Sequence, residues 1–383
     1  MSVSHRPGMH DAHRSHPNQG PAPCRSLDEH LAEFDSLFAG LLTWLPRLYD
    51  PETGGFYYAL SSRTTPRFEP DIESTCMAIR ILAQFDLLES LPPSVRDHLI
   101  RFLQGRQDTA TGFFLDGHNE MGTIERMRGR ALSAATDALK MLESRPLHPL
   151  PGSAGAGSDH LKHLMSPRAF EVWLEGRPWE NSWLAQDNIQ AQGALIKLLP
   201  PEQQAERVGQ ALRFVTERQD PVTGFAGGGS PYVRLSGAFK LALFCRAFDR
   251  AVPRAENIYA ATMECLRTEF CEDACWLRNP LELIEVLRPQ LGPRPQAELD
   301  EVVRISARNA RHFSQPDGGF SRKPGSSSPA PNDVPLGLGL AEGDLNASVQ
   351  LAVIARPTLY RFANIGAPQL PGSDECRRAF ARS

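Results

Sequence analysis

DPETGGFYY at residues 50–58, QDTATGFF at 107–114, QDPVTGF at 219–225 and QPDGGF at 315–320 are four versions of one signature. Their phenylalanines stand at 56, 113, 225 and 320, so the intervals are 57, 112 and 95. The second interval is about twice the first, and the third fits two shorter units. Two degenerate copies therefore belong in the gaps, and GRPWENSW at 176–183 and FCEDACW at 270–276 occupy those places. Six repeats of one supersecondary unit follow.

Within a unit an amphipathic stretch comes first, as in LDEHLAEFDSLFAGLLTWLPRLY (27–49) or VGQALRFVTERQ (208–219), with apolar residues recurring at three and four. The Gly-Phe step then reverses the chain, glycine permitting the positive φ that follows a helix C-terminus and phenylalanine plugging the junction between neighbouring pairs. A more apolar or small-residue stretch closes each unit, over 71–85, 130–142, 187–199, 235–248, 280–287 and 344–355. β-Branched alternation of strand type is absent. The fold class expected is all-α, an (α/α)6 toroid in which six outer and six inner helices surround a central cavity. It forms a single domain over 27–367, between a disordered arm at 1–26 and a C-terminal tail at 368–383. The Pro/Ser clusters at 144–158 and 321–335 are loops inside the array. PGSAGAG has no strand before it and is a linker, not a dinucleotide-binding turn.

At 383 residues the chain exceeds ordinary single-core size, which a repeat array accommodates because each unit packs on its neighbours. The net charge of -4 with dispersed Lys and Arg provides no basic stripe for nucleic acid. No apolar run approaches the roughly 20 residues that span a bilayer, and no signal-peptide pattern opens the chain, so cytoplasmic residence is the expectation. Seven cysteines, mostly inside apolar helical runs, read as free thiols. The arm holds His5, His10, His13 and His16 among Pro, Gly and Ser, too little apolar surface to order itself.

Six helix pairs joined by Gly-Gly-Phe turns resemble the α/α toroid of terpenoid cyclases and protein-prenyltransferase β-subunits. EPDIESTCMAIRIL (69–82) is similar to that family's inner-helix opening, an acid followed by Ser/Thr. The resemblance places a prenyltransferase zinc at Asp273 and Cys275. Its third ligand is missing, because Ala347 stands where the family has histidine, so no metal or other cofactor is expected. The cyclases' DxDD and DDxxD motifs are absent as well. One architecture hosts several chemistries, and the resemblance bears on fold more than on activity.

In such a topology all turns and all inner-helix N-termini share one rim, and polar residues there converge on the cavity mouth. Asp71, Glu120, Asp187 and His118 are the candidate catalytic groups, paired carboxylates and a histidine being the usual proton carriers. Tyr57, Arg67, Arg128, Trp179, Asn181, Lys240, Asp344 and Asn346 are the candidate ligand contacts. Flat aromatics and amides suit sugar hydroxyls, and helix N-termini with arginines suit an anion. Asp71, Asp187 and Asp344 also stand where helices start, so capping alone accounts for them equally well. Lys240, inside the apolar SGAFKLALF, needs a partner such as Asp187. The leading expectation is a small-molecule toroid enzyme, hydrolase or lyase, acting on a polar or anionic carbohydrate-like substrate. An isoprenoid enzyme and a non-catalytic partner-binding toroid are the alternatives. On the first reading an Asp187 amide variant should melt like the wild type.

Overall fold

A computed structural model describes residues 26–117, 123–152 and 159–382, and their regular secondary structure is helical, with only isolated β-bridges besides. The helices of five residues or more are α1 (Leu27–Ser36), α2 (Ile72–Gln84), α3 (Pro93–Gly105), α4 (Glu125–Met141), α5 (Pro167–Glu175), α6 (Ser182–Ala191) and α7 (Pro201–Thr216). They continue with α8 (Pro231–Ala247), α9 (Ala255–Thr268), α10 (Ala274–Leu287), α11 (Gln296–Ala310), α12 (Leu345–Val349), α13 (Arg356–Phe362) and α14 (Ser373–Phe380). A π-helical segment, Gln350–Ala355, joins α12 to α13. No helix among the described residues is long and apolar enough to cross a membrane.

The repeat signature becomes one recurring turn. Bridges pair Tyr49 with Phe56, Gln107 with Phe114, Gln219 with Ala226 and Ser314 with Phe320. In the first three, an aspartate (Asp50, Asp108, Asp220) closes the loop through its own backbone and accepts from the hydroxyl of Thr53, Thr111 or Thr223. Gly54, Gly112 and Gly224 follow at φ 80, 75 and 71°, a region that a side chain would strain. Gln107 and Gln219 reach from the turn to the carbonyls of His148 and Pro253, tying each turn to a later connection.

Helix starts follow local chemistry. Ser26 forms a capping box with Glu29, Asp71 accepts from Ser74 N, and prolines open α3, α5, α7 and α8, where a missing N–H costs nothing. The ends of α2, α4, α8 and α13 are alike too. Asp86, Glu143, Asp249 and Asn364 take left-handed φ between 52 and 57°, and the next N–H returns to the carbonyl five residues back. This is the Schellman arrangement with an acid or amide in place of the usual glycine.

Helices α2, α4, α6, α8, α10 and α12 with its π continuation pack in succession, each on the next, and α12 packs on α2. Among the intervening helices, α1 packs on α11, α5 on α7, and α9 on α11. Four helices start earlier than expected, α4 at Glu125 and α8 at Pro231 among them. α6 begins at Ser182, because Asn181 caps it by accepting from Leu184 N at 2.9 Å, so Asp187 lies inside the helix. α10 begins at the Asp273 cap and runs through Pro280. The segment expected as a tail holds α14, which buries Cys376 and sets Phe380 against Tyr49 and Phe56.

Candidate functional site

A cavity of about 630 Å³ lies among α2, α4, α6, α8, α10 and α12. Its polarity is uneven. Met77, Leu132, Ala138, Leu198, Leu243, Phe244 and Ile354 make much of the wall apolar. Six cations face it, Arg80, Arg130, Lys197, Lys240, Arg278 and Arg322, against two acids, Glu73 and Asp137.

The remaining counter-charges sit behind these cations. Asp187, wholly buried, is 2.7 Å from Lys240 Nζ, 3.3 Å from Arg126 Nη1 and 3.6 Å from Arg130 Nη1. Burial by itself would raise its pKa, but Lys240, Arg130 and Arg126 outweigh it and hold the carboxyl well below the usual range. Lys240 is lowered by burial and partly restored by Asp187. Arg130 Nε also donates to Glu73 at 2.8 Å. Arg322 Nε donates to Asp273 at 2.6 Å and its Nη1 to Asn346 at 3.0 Å. Glu282 is shared by Arg278 and by Arg246 at 2.7 Å.

The open end is not the rim expected from the sequence. Lining residues near the helix starts, Glu73, Asn279 and Asn346, are buried, whereas Arg80, Ser133, Asp137 and Ala247, further along their helices, and Lys197, beyond the end of α6, are exposed. The turn end is covered by the 321–344 connection. Asn332 donates to Glu73 at 3.0 Å, and Arg126 holds the Asn332 carbonyl at 3.2 Å and Asp333 at 2.9 Å. Asn332 and Asp333 both take left-handed φ, 55 and 70°.

The expected site residues therefore separate. Lys240 and Asn346 line the cavity, and Asp187 supports Lys240 from behind. Asp71 and Asp344 are buried caps, of α2 and α12. Asn181 caps α6. Trp179 donates from Nε1 to the Leu174 carbonyl and packs on Phe214, filling a junction between α5 and α7. Arg67 lies exposed over the Phe68 ring, Arg128 is half-buried near the Phe113 ring, and half-buried Tyr57 donates its N–H to Leu48 O. None of these last four lines the cavity. His118 and Glu120 lie outside the described residues, as do the histidines of the N-terminal arm.

Asp273, one of the two zinc candidates, is committed to Arg322, to Lys323 at 3.1 Å and to its own helix cap, while Cys275 faces the cavity. Among the described residues no group of three His, Cys, Asp or Glu is placed to hold a metal ion. Sequence reading missed Arg80, Asp137, Arg322 and Gln350. Arg80 was within reach of it, lying seven residues from Glu73 on the otherwise apolar face of EPDIESTCMAIRIL.

Asp344 yields a testable pH effect. Burial pushes its pKa up to about 7, against the hydrogen bonds from Ala347 N and Arg322 N. A buried acid with a raised folded pKa contributes most below its unfolded value near 3.9 and loses that contribution as pH rises toward 7. Asp344→Asn keeps the cap without the ionisation. Relative to this variant, the wild type should lose about 2–3 kcal/mol between pH 4 and 6, at ~1.4 kcal/mol per pH unit. Parallel urea-unfolding curves for the two proteins over that range would show instead that Asp344 ionises freely.

The fold and site together define an all-helical protein with a charged interior cavity among its helices. No family model matches the chain, and no curated protein matches it. Among solved structures, the crystal structure of a protein from Actinoplanes aligns with a TM-score of 0.40 and 14% identity, covering 88% of this chain and 100% of that one.

Proposed function

We propose that the chain is an (α/α)6 toroid whose central cavity binds an amphiphilic anion, an apolar body carrying a carboxylate or phosphate. The toroid reading is supported by the strict alternation of outer and inner helices and by the return of α12 onto α2. The binding reading is carried by one observation, the excess of cations on an otherwise largely aliphatic cavity surface, with Asp187, Asp273 and Glu282 behind that surface. Cavities of about 300–1,000 Å³ bury most of the surface of a drug-sized molecule.

This favours the anionic half of the carbohydrate expectation over the sugar half. Asp71 and Asp344 are engaged as caps, Asp187 by three cations and Trp179 at a helix junction, and Trp183 and Phe244 are the aromatics that line the cavity. A prenyl diphosphate is one amphiphilic anion among several.

A thermal-shift series tests the reading, with dodecanoate, dodecyl phosphate and farnesyl diphosphate below their micellar concentrations, and dodecanol and glucuronate as comparators. The anions should stabilise, by about 2.7 kcal/mol at a hundredfold excess over Kd, and the comparators should not. A response to glucuronate alone would return the site to carbohydrates. Silence throughout would remove small-molecule binding from the cavity.

A further inference from the structure

The cations of the cavity are not equally available. Lys240, Arg130 and Arg322 are each committed to a buried acid within 2.8 Å. Around the π-helical segment the situation differs. Arg80, on α2, lines the cavity and forms no hydrogen bond or ion pair with the described residues. Across the segment, on α10, Arg278 shares Glu282 with Arg246, while its buried Nε has no partner among the described residues. Between them Gln350, the first residue of the π segment, lines the cavity with its side-chain oxygen buried and also unpartnered.

Two guanidiniums with unused donors thus border one stretch of wall, beside an amide oxygen that accepts. Although Arg80 is exposed, desolvation first, and the Arg278 charge second, lower its pKa, against the partial offset of Glu282 and Asp137. Like charges held near one another in a desolvated place are stabilised by an anion between them. Guanidinium forks match the oxygens of a carboxylate or phosphate, and a π turn is a common way to aim a side chain at a functional site.

From this juxtaposition we infer that Arg80 and Arg278 form the head-group site of the cavity, binding the oxyanion of the ligand beside the π segment, away from the closed turn end. The inference rests on the amphiphilic-anion reading and adds to it a position and an orientation. The head lies on the α2–α10 side of the shaft, and the apolar body lies against Leu243, Phe244 and Leu198 on the α6–α8 side. Arg126, Arg130, Lys240 and Asp187 then act as fixed structure.

Isothermal titration of the wild-type protein and of Arg80→Gln with dodecyl phosphate, dodecanoate and dodecanol decides it. Arg80 is exposed and forms no ion pair with the described residues, Glu282 and Asp137 acting on it only through their charge, so the variant should melt close to the wild type. Its affinity for both anions should fall about tenfold or more, the loss of a charged hydrogen bond, with dodecanol unaffected. A larger loss for dodecyl phosphate than for dodecanoate would assign the site to phosphate, and the reverse to carboxylate. Anion affinity equal to that of the wild type in Arg80→Gln would overturn the placement while leaving the binding reading intact. A silent wild type would remove both.

Discussion

Replacing Asp187 by asparagine should cost about 3–5 kcal/mol of stability, because it leaves Lys240, Arg126 and Arg130 facing one another around a neutral amide. The carboxyl is completely buried and the cations are mostly so, which keeps solvent from screening the repulsion. Its depressed pKa sets the pH window. The contribution is complete above the unfolded value near 3.9 and is lost as pH falls toward the lower folded value, so the gap between variant and wild type should be full at pH 5–8 and narrow below about pH 4. Adding Lys240→Met removes one of the stranded charges, and the double variant should recover part of the loss. The sequence position of Asp187 led to the opposite expectation, an unchanged melting curve. That outcome in a urea or thermal denaturation would return Asp187 to a ligand-binding role.

A second large effect belongs to the repeat itself. Phe113 is 1% exposed, and its carbonyl accepts from Asp108 N at 2.8 Å across the turn. Phe113→Ala should destabilise by about 3–5 kcal/mol, the cost of emptying a packed aromatic site. Urea unfolding with an unchanged m-value would show that the loss is of packing. Wild-type stability would mean that the Gly-Phe signature does not mark a structural joint, and the alignment of six units would lose its anchor.

What was legible in the sequence was local. The turn signature works within a few residues, through Asp108 to Thr111 and Gly112, so its pattern survives in the linear text. That the stretches between these turns are helical could be read from their spacing, and the Lys240–Asp187 pair from the cost of burying a lone amine. The position of Asp187 within its helix was misread because Asn181 is as good a cap, and nothing in periodicity chooses between them. Which end of the cavity opens was beyond reach. It depends on Asn332, in a connection without periodic pattern, meeting Glu73 and Arg126 from distant parts of the chain. Arg322 reaches the cavity from the same connection, and no local rule points it there.

The π-helical segment at Gln350–Ala355 has a consequence for how this chain tolerates insertions and deletions. A π turn is the equivalent of one extra residue wound into an α-helix, and one residue is worth about 100° of rotation. Upstream of it, Asn346 and Val349 face the cavity. Downstream, Arg356 faces away and grips Asp35 of α1 through Nε at 2.8 Å and Nη2 at 2.9 Å. The wide turn is the phase adjustment that lets one continuous rod serve an inward and an outward partner. Deleting a single residue there would relax the backbone into regular α-helix and put the two halves out of phase, so that the rod could keep its interior face or its clasp on α1, but not both.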